Sequence, residues 1–311
     1  MSLRALSIVT VAVVLSWSGP ASAVPFFFST GNADGLIATA SRPSSAGKVE
    51  IESADDFVVS GGTLKLTSAT FQGLIPTGTS LSSDIGTVRV EIYRVFPADS
   101  DVGRTSGPPT FSTSQVPTRV NSPSDVAFDS RETGGGLTFT PGVVQPTFTA
   151  NKSVVNGISV GSGGNGPVTG QQVQFNVIFS TPFTLPADHY FFVPQVELSS
   201  GDFLWLSAPR PIVPPGTPFP AGFTDLQSWM RNENLDPDWL RIGTDIIGGS
   251  TFNSQFTLAG DLSAVPEPAT LLLVGTSMVG LGLVARRRRQ RVARRERRGP
   301  SALVASSTTT R

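Results

Sequence analysis

The sequence contains no cysteine and one histidine, His189. The first absence excludes disulfides, thiolate metal sites and cysteine nucleophiles, so the fold is held by packing alone. The second excludes zinc sites built from several imidazoles. Basic residues are scarce in the middle of the chain. Of 23 lysines and arginines, Arg4 lies near the start and ten lie from position 286 onward, which leaves 12 between. Of 23 acidic residues only Glu267 and Glu296 fall in the same tail, which leaves 21. A formal net charge of zero therefore hides a central region of about −9. Such a region excludes nucleic acid as a partner, because phosphates need clustered Lys and Arg. It suits a solvated extracellular protein or one that meets cations. There is no internal repeat of fixed period.

Long apolar runs occur only at the ends. Residues 1–23 read as a signal peptide: Arg4 supplies the positive start, residues 5–17 are almost wholly apolar, and Gly19-Pro20 break the run. Ala21-Ser22-Ala23 then fit signal peptidase, and cleavage would leave Val24 as the new N-terminus. Near the other end, Val265-Pro266-Glu267-Pro268 precede 269–285, 17 residues without a charge, followed by Arg286, Arg287, Arg288 and Arg289. The run is near the lower limit for a spanning helix. The arginines should stay in the cytoplasm, which places the central region outside. Residues 290–311 read as a disordered basic tail.

This order of motif, short span and arginine block resembles the PEP-CTERM family of bacterial sorting signals. The resemblance is carried by Val265, Pro266, Glu267, Pro268, Ala269 and Thr270, the span, and the arginines. It implies recognition of the Pro-Glu-Pro signal by an exosortase, a membrane cysteine transpeptidase-like enzyme. It also implies transient anchoring in the inner membrane, then a cell-surface or extracellular location, and a link to exopolysaccharide and biofilm. The central region is similar to a group of PEP-CTERM proteins with an Asp-Asp-Phe strand, here Asp55-Asp56-Phe57, and a Val-x-Val-x-Ile-Tyr strand, here Val88 to Tyr93. That second resemblance transfers no activity.

The central region, 24–264, reads as strands and turns. Val173, Phe175, Val177 and Phe179 alternate with polar residues in 172–180, as do Val88, Val90 and Ile92 in 87–96 and Phe252, Phe256 and Leu258 further on. A period of two marks strands with one buried face. Further strands are expected at 56–60, 63–74, 137–140, 154–160, 190–198 and 203–207. Only 225–232 has helical character. The expectation is a mainly β domain, an antiparallel β-sandwich or jelly-roll-like fold. Residues 97–125 should form a long irregular loop, and the glycine-rich 161–170 a turn.

Candidate chemistry is sparse. Asp99-Ser100-Asp101 and Asp236-Pro237-Asp238 pair carboxylates in loops and are possible calcium ligands, set against solvated acidic turns. Trp205, Trp229 and Trp239 are candidate ligand-binding platforms for sugar faces, set against core packing. His189 follows Asp188, but neighbours on a strand point to opposite faces and do not cooperate. The leading expectation is a non-enzymatic surface or matrix protein without a cofactor, processed by signal peptidase and exosortase. The alternatives are a carbohydrate-binding module carried by exposed tryptophans and a secreted glycoside hydrolase with two facing carboxylates.

Overall fold

The computed structural model describes residues 23–104, 116–155 and 158–264, with positions 280, 282, 286 and 287. The leader up to position 22, including Ala21, lies outside the described residues, as do Val265 to Pro268, most of 269–285, Arg288, Arg289 and 290–311. Among the described residues no helix is long and apolar enough to cross a membrane. The chain divides into two compact units, Met1–Val265 and Pro266–Arg311.

The first unit is mainly β. Its strands are β1 (Ala23–Ser29), β2 (Ile37–Ala40), β3 (Ile51–Val59), β4 (Gly62–Ile75), β5 (Ile85–Arg94), β6 (Asp129–Glu132), β7 (Leu137–Ala150) and β8 (Lys152–Val154). These are followed by β9 (Val168–Leu185), β10 (Asp188–Leu198), β11 (Leu204–Ala208), β12 (Trp229–Asn232), β13 (Leu240–Arg241), β14 (Asn253–Ser254) and β15 (Phe256–Ala264). They form a nine-stranded sheet, in which β1, β15, β4, β9 and β7 lie side by side, and a six-stranded sheet ordered β13-β12-β3-β10-β5-β6. Pairing is antiparallel except for β2 with β8. The two-layer arrangement expected of a sandwich is present, but the sheets are larger than the halves of an eight-stranded jelly roll.

The period-two patterns set which side chains meet between the layers. Val173, Phe175, Val177 and Phe179 are all at most 2% exposed. They share one core with Val88, Val90 and Ile92 of β5 and with Phe57 and Phe192 of the same sheet. An aromatic series runs across it: Phe71 stacks on Phe175 at 5.1 Å, Phe192 stacks on Phe256 at 5.0 Å, and the Phe203 ring meets Phe175 edge-on at 5.4 Å. With no disulfide to hold the layers, this buried aromatic area is the main adhesive. Gly73 exists because of it, since a Cβ there would lie 2.1 Å from the Phe203 ring.

Two sequence expectations are corrected. Residues 225–232 are not helical, because Trp229–Asn232 pairs with β3 on one side and β13 on the other. Tertiary pairing outweighs the weak helical preference of Leu226, Gln227, Met230 and Arg231. The strand expected at 154–160 ends at Val154, and positions 156 and 157 lie outside the described residues. The described part of 97–125 is irregular as expected, and its return limb is packed against the domain, where Arg119, Ser122 and Ser124 are buried. The Arg119 guanidinium lies 4.3 Å from the Phe96 ring, pairs with Asp125 and donates to the Asp101 carbonyl at 3.1 Å. The glycine-rich segment is a turn until β9 begins at Val168.

β1 and β15 pair over seven residues, from Ala23 opposite Ser263 to Ser29 opposite Thr257. Val24, the expected mature N-terminus, therefore sits opposite Leu262, three positions before the motif.

We expect Phe175→Ala to lower unfolding free energy by about 3–5 kcal/mol through the cavity it leaves. Gly73→Ala should cost about 1–3 kcal/mol through overpacking. Urea denaturation followed by tryptophan fluorescence measures both. Thr138→Ala on the exposed face should stay within about 0.5 kcal/mol of wild type.

Candidate functional site

The chemistry of the domain gathers on the outer face of the six-stranded sheet. Side chains alternate along each strand, so Glu52, Ala54 and Asp56 of β3 share that face, as do Arg89, Glu91 and Tyr93 of β5. His189 and Gln195 of β10 and Trp229 and Arg231 of β12 complete it. The alternation of 87–96 marked this as a solvent face. Instead, irregular segments cover part of it: Trp239 Nε1 donates to the Ser124 carbonyl at 3.1 Å, and the Leu226 amide donates to Asp56 Oδ2 at 3.1 Å.

Arg231, 6% exposed, is the centre of the cluster. Its Nε pairs with Glu52, and its Nη2 donates to Glu52 Oε1 at 3.2 Å and to the Tyr93 hydroxyl at 2.8 Å. Nη1 donates to the carbonyls of Asp125 and Pro237 at 3.0 and 3.1 Å and meets Asp236 at 3.1 Å. The guanidinium also lies 4.4 Å from the Trp239 ring and 5.2 Å from that of Tyr93. Tyr93 donates to Glu52 Oε1 at 2.6 Å and lies 3.3 Å from Glu91. Glu50 accepts from Arg89 at 3.2 Å and from Gln195 at 2.7 Å. A cavity of about 370 Å³ opens beside these groups, lined among others by Lys48, Glu50, Glu52, Arg231, Glu233 and Asp236.

Burial, and then the charges of Glu52 and Glu50, push the Glu91 carboxyl up to about 8. Glu91 is therefore largely protonated at neutral pH, while Glu52 has both oxygens occupied by Arg231 and Tyr93. A free carboxylate facing a free carboxylic acid, as glycoside hydrolysis needs, is not what this cluster presents.

The second cluster joins Asp56 to His189, with Nε2 and Oδ2 2.6 Å apart. Asp188, the sequence neighbour of His189, instead accepts the backbone N–H of His189 at 2.8 Å. Burial raises Asp56 well above the usual carboxylate range and lowers His189 to about 4, so the charged pair is disfavoured and one proton serves both groups. The ring meets Phe219 and Phe223. No serine or threonine hydroxyl is among its hydrogen-bond partners in the described residues. Asp55 points the other way, into the interior, where it accepts from Ser228 Oγ and the Ser254 amide, both at 2.9 Å. It ties β3 to β12 and β14 and is likewise raised by burial.

The tryptophans are not sugar platforms. Trp205, Trp229 and Trp239 are 1%, 1% and 2% exposed. Trp205 packs against Phe192 and Phe256 and donates to the Gln255 carbonyl at 2.7 Å. Their large apolar area is worth more in the core than in water. Three of the four loop acids lie by arginines, and the fourth, Asp101, accepts the Gly103 amide at 2.9 Å. Asp99 is held by Arg94 at 2.7 and 2.5 Å, and exposed Asp236 meets Arg231. Buried Asp238 lies 3.8 Å from Arg119. Among the described residues no group of three or more acidic or histidine side chains is arranged to hold a metal. Sequence reasoning missed the Glu52–Tyr93–Arg231 cluster, whose partners are 41 to 179 positions apart.

The raised Glu91 pKa has a sign. Between its ordinary value of 4.5 and about 8, the unfolded chain has lost a proton that the folded chain keeps. Stability therefore falls as pH rises through that window. His189, lowered from 6.5 to about 4, acts oppositely, while Asp55 and Asp56, raised by burial, act in the same direction, so the raw profile mixes several groups. Glu91→Gln removes only the first effect. Its unfolding free energy minus that of wild type should grow from pH 5 to pH 8 in urea melts, and a flat difference would contradict the assignment.

No curated protein and no solved structure matches the chain. Residues 264–289 match the PEP-CTERM protein-sorting motif, which begins at the last residue of β15. The chain thus carries a PEP-CTERM protein-sorting motif, which indicates an exported protein addressed to an exosortase.

Proposed function

We propose that the central domain is a non-enzymatic structural or adhesive component of the cell surface, associated with exopolysaccharide and biofilm. It is exported after signal peptidase cleavage, held in the inner membrane by the 269–285 span, and then processed by the exosortase. The observation that carries this reading is the sorting motif placed directly after a closed β-domain. The acids of its central cluster are engaged in ion pairs and hydrogen bonds, and among the described residues no nucleophile hydrogen-bonds the His189–Asp56 pair. That supports a binding or structural role over hydrolysis.

The motif is testable without knowing the ligand. A linker needs only to be extended, and Glu267→Ala would leave it so. An enzyme that reads the carboxylate through charge-assisted hydrogen bonds, worth about 1.5–3 kcal/mol, would lose about one to two orders of magnitude in processing rate. In a host that carries an exosortase, Glu267→Ala should accumulate a full-length, membrane-bound precursor on immunoblots. Mass spectrometry of the exported wild-type protein should find Val24 at its N-terminus. Normal processing of the variant would refute recognition of Glu267.

A further inference from the structure

Charge is distributed unevenly between the two outer faces. The six-stranded sheet carries Glu52, Asp56, Glu91, Arg89 and Arg231, whereas the exposed face of β15, β4, β9 and β7 is built from hydroxyls and amides. Register fixes its rows. Thr257, Thr70, Asn176 and Thr140 lie side by side across four strands, and Gln72 and Gln174 lie side by side in the next row. Lys65 and Asp261, paired at one end, are the charged residues of this face among the described residues. On a domain with 21 acidic and 12 basic residues, this is a neutral field about four strands, or ~19 Å, across.

The amides are held in fixed orientations. Gln172 Nε2 donates to Gln72 Oε1 at 2.8 Å, Gln72 Nε2 to Gln174 Oε1 at 3.1 Å, and Gln174 Nε2 to Asn176 Oδ1 at 2.8 Å. Asn176 Nδ2 ends the relay on the Thr140 carbonyl at 3.2 Å, and Thr70 bonds Thr257 at 2.6 Å. Gln72, Gln174 and Asn176 each spend one N–H and one lone pair on the relay and keep another of each for a ligand. Their rotamer entropy is already lost, which lowers the cost of binding. Beside the relay runs an apolar row in which Phe27 of β1, 59% exposed, lies in register with Ala259, and Ile178 of β9, 61% exposed, lies in register with Ser68.

We propose that this face binds a neutral, polyhydroxylated polymer, a glycan chain without carboxylate or sulfate groups. Its hydroxyls would exchange hydrogen bonds with the Gln72, Gln174 and Asn176 amides, and the C–H face of a sugar would lie on Phe27. The absence of charge is the complementarity: an anionic polymer meets no cation cluster here and is repelled by the acidic domain. This inference rests on the reading of the chain as an exported surface protein, which places it where such polymers occur.

The test is affinity electrophoresis of the full chain in non-ionic detergent, through gels that contain hydroxyethyl cellulose, dextran or alginate. At least one neutral polymer should retard wild type, and alginate should not. The double variant Gln72→Ala/Gln174→Ala should weaken that retardation about tenfold or more, as the loss of two to three hydrogen bonds implies. Phe27→Ala, at an exposed edge position, should weaken it without changing the thermal melt. The inference is overturned if no neutral polymer retards the chain, if alginate retards it equally, or if neither variant changes the retardation. A concentration-dependent dimer abolished by Phe27→Ala, without retardation, would make the face a self-interface and also overturn it. Export and processing of Val24 and Glu267 are read separately. A normally processed chain that binds no neutral glycan sinks this inference alone, and a glycan-binding chain that is never processed sinks the sorting reading alone.

Discussion

The outer layer of the six-stranded sheet depends on the buried ion pair between Arg231 and Glu52. A guanidinium removed from water must have its donors met, and here Glu52, Tyr93, Asp236 and two backbone carbonyls meet them. Those carbonyls belong to Asp125 and Pro237, in two separate irregular segments. Arg231 thus fixes loops as well as a strand. Removing one partner of such a pair leaves an uncompensated buried charge, a loss of about 3–5 kcal/mol. The guanidinium lies 4.4 Å from the Trp239 ring, which also meets Tyr93 edge-on at 5.4 Å, and these contacts explain why Trp239 is core and not a ligand platform. Lysine, with a compact ammonium and no planar fork, would satisfy neither the rings nor the carbonyls.

The same constraint shapes the electrostatics. Gathering Glu50, Glu52 and Glu91 around two arginines forces one carboxyl to keep its proton, and burial selects Glu91. The cluster therefore spends its acidity internally. With so many acids drawn to one sheet, the opposite sheet face is left to amides and hydroxyls. Exposed β faces usually rely on charge to avoid sticking to other sheets. This one is neutral, and its amides are ordered by a relay. A surface that is both uncharged and preorganised is suited to a partner that is itself uncharged and rich in hydrogen-bonding groups.

What could be read from the sequence follows from the range of each signal. Strands β5 and β9 declared themselves because alternation is local, and the buried set Val173, Phe175, Val177 and Phe179 follows directly. β1 was hidden beside the leader, because Val24 to Phe28 are apolar at every position but Pro25 and show no alternation. β12 was misread as helical because its identity comes from pairing with β3, a contact across more than 170 positions. The Asp56–His189 pair was equally illegible, since Asp188 adjoined the histidine in sequence while Asp56 met it in space. The sorting motif could be read because its three parts are contiguous.

The junction between domain and motif separates processing from folding. β15 is an interior strand, flanked by β1 and β4, and its last pair joins Ala264 to Gly62. Every backbone partner of β15 is thus placed before Pro266. Cleavage anywhere beyond position 265 removes no residue of the described strands and leaves the nine-stranded sheet intact. Removal of the leader after Ala23 removes one pair, Ala23 with Ser263, and keeps the remaining six between β1 and β15. Cleavage at these two places would thus cost the fold one strand pair at most. A sorting enzyme that cuts beyond position 265 leaves the β15 ladder, which ends at the Ala264–Gly62 pair, without a broken hydrogen bond.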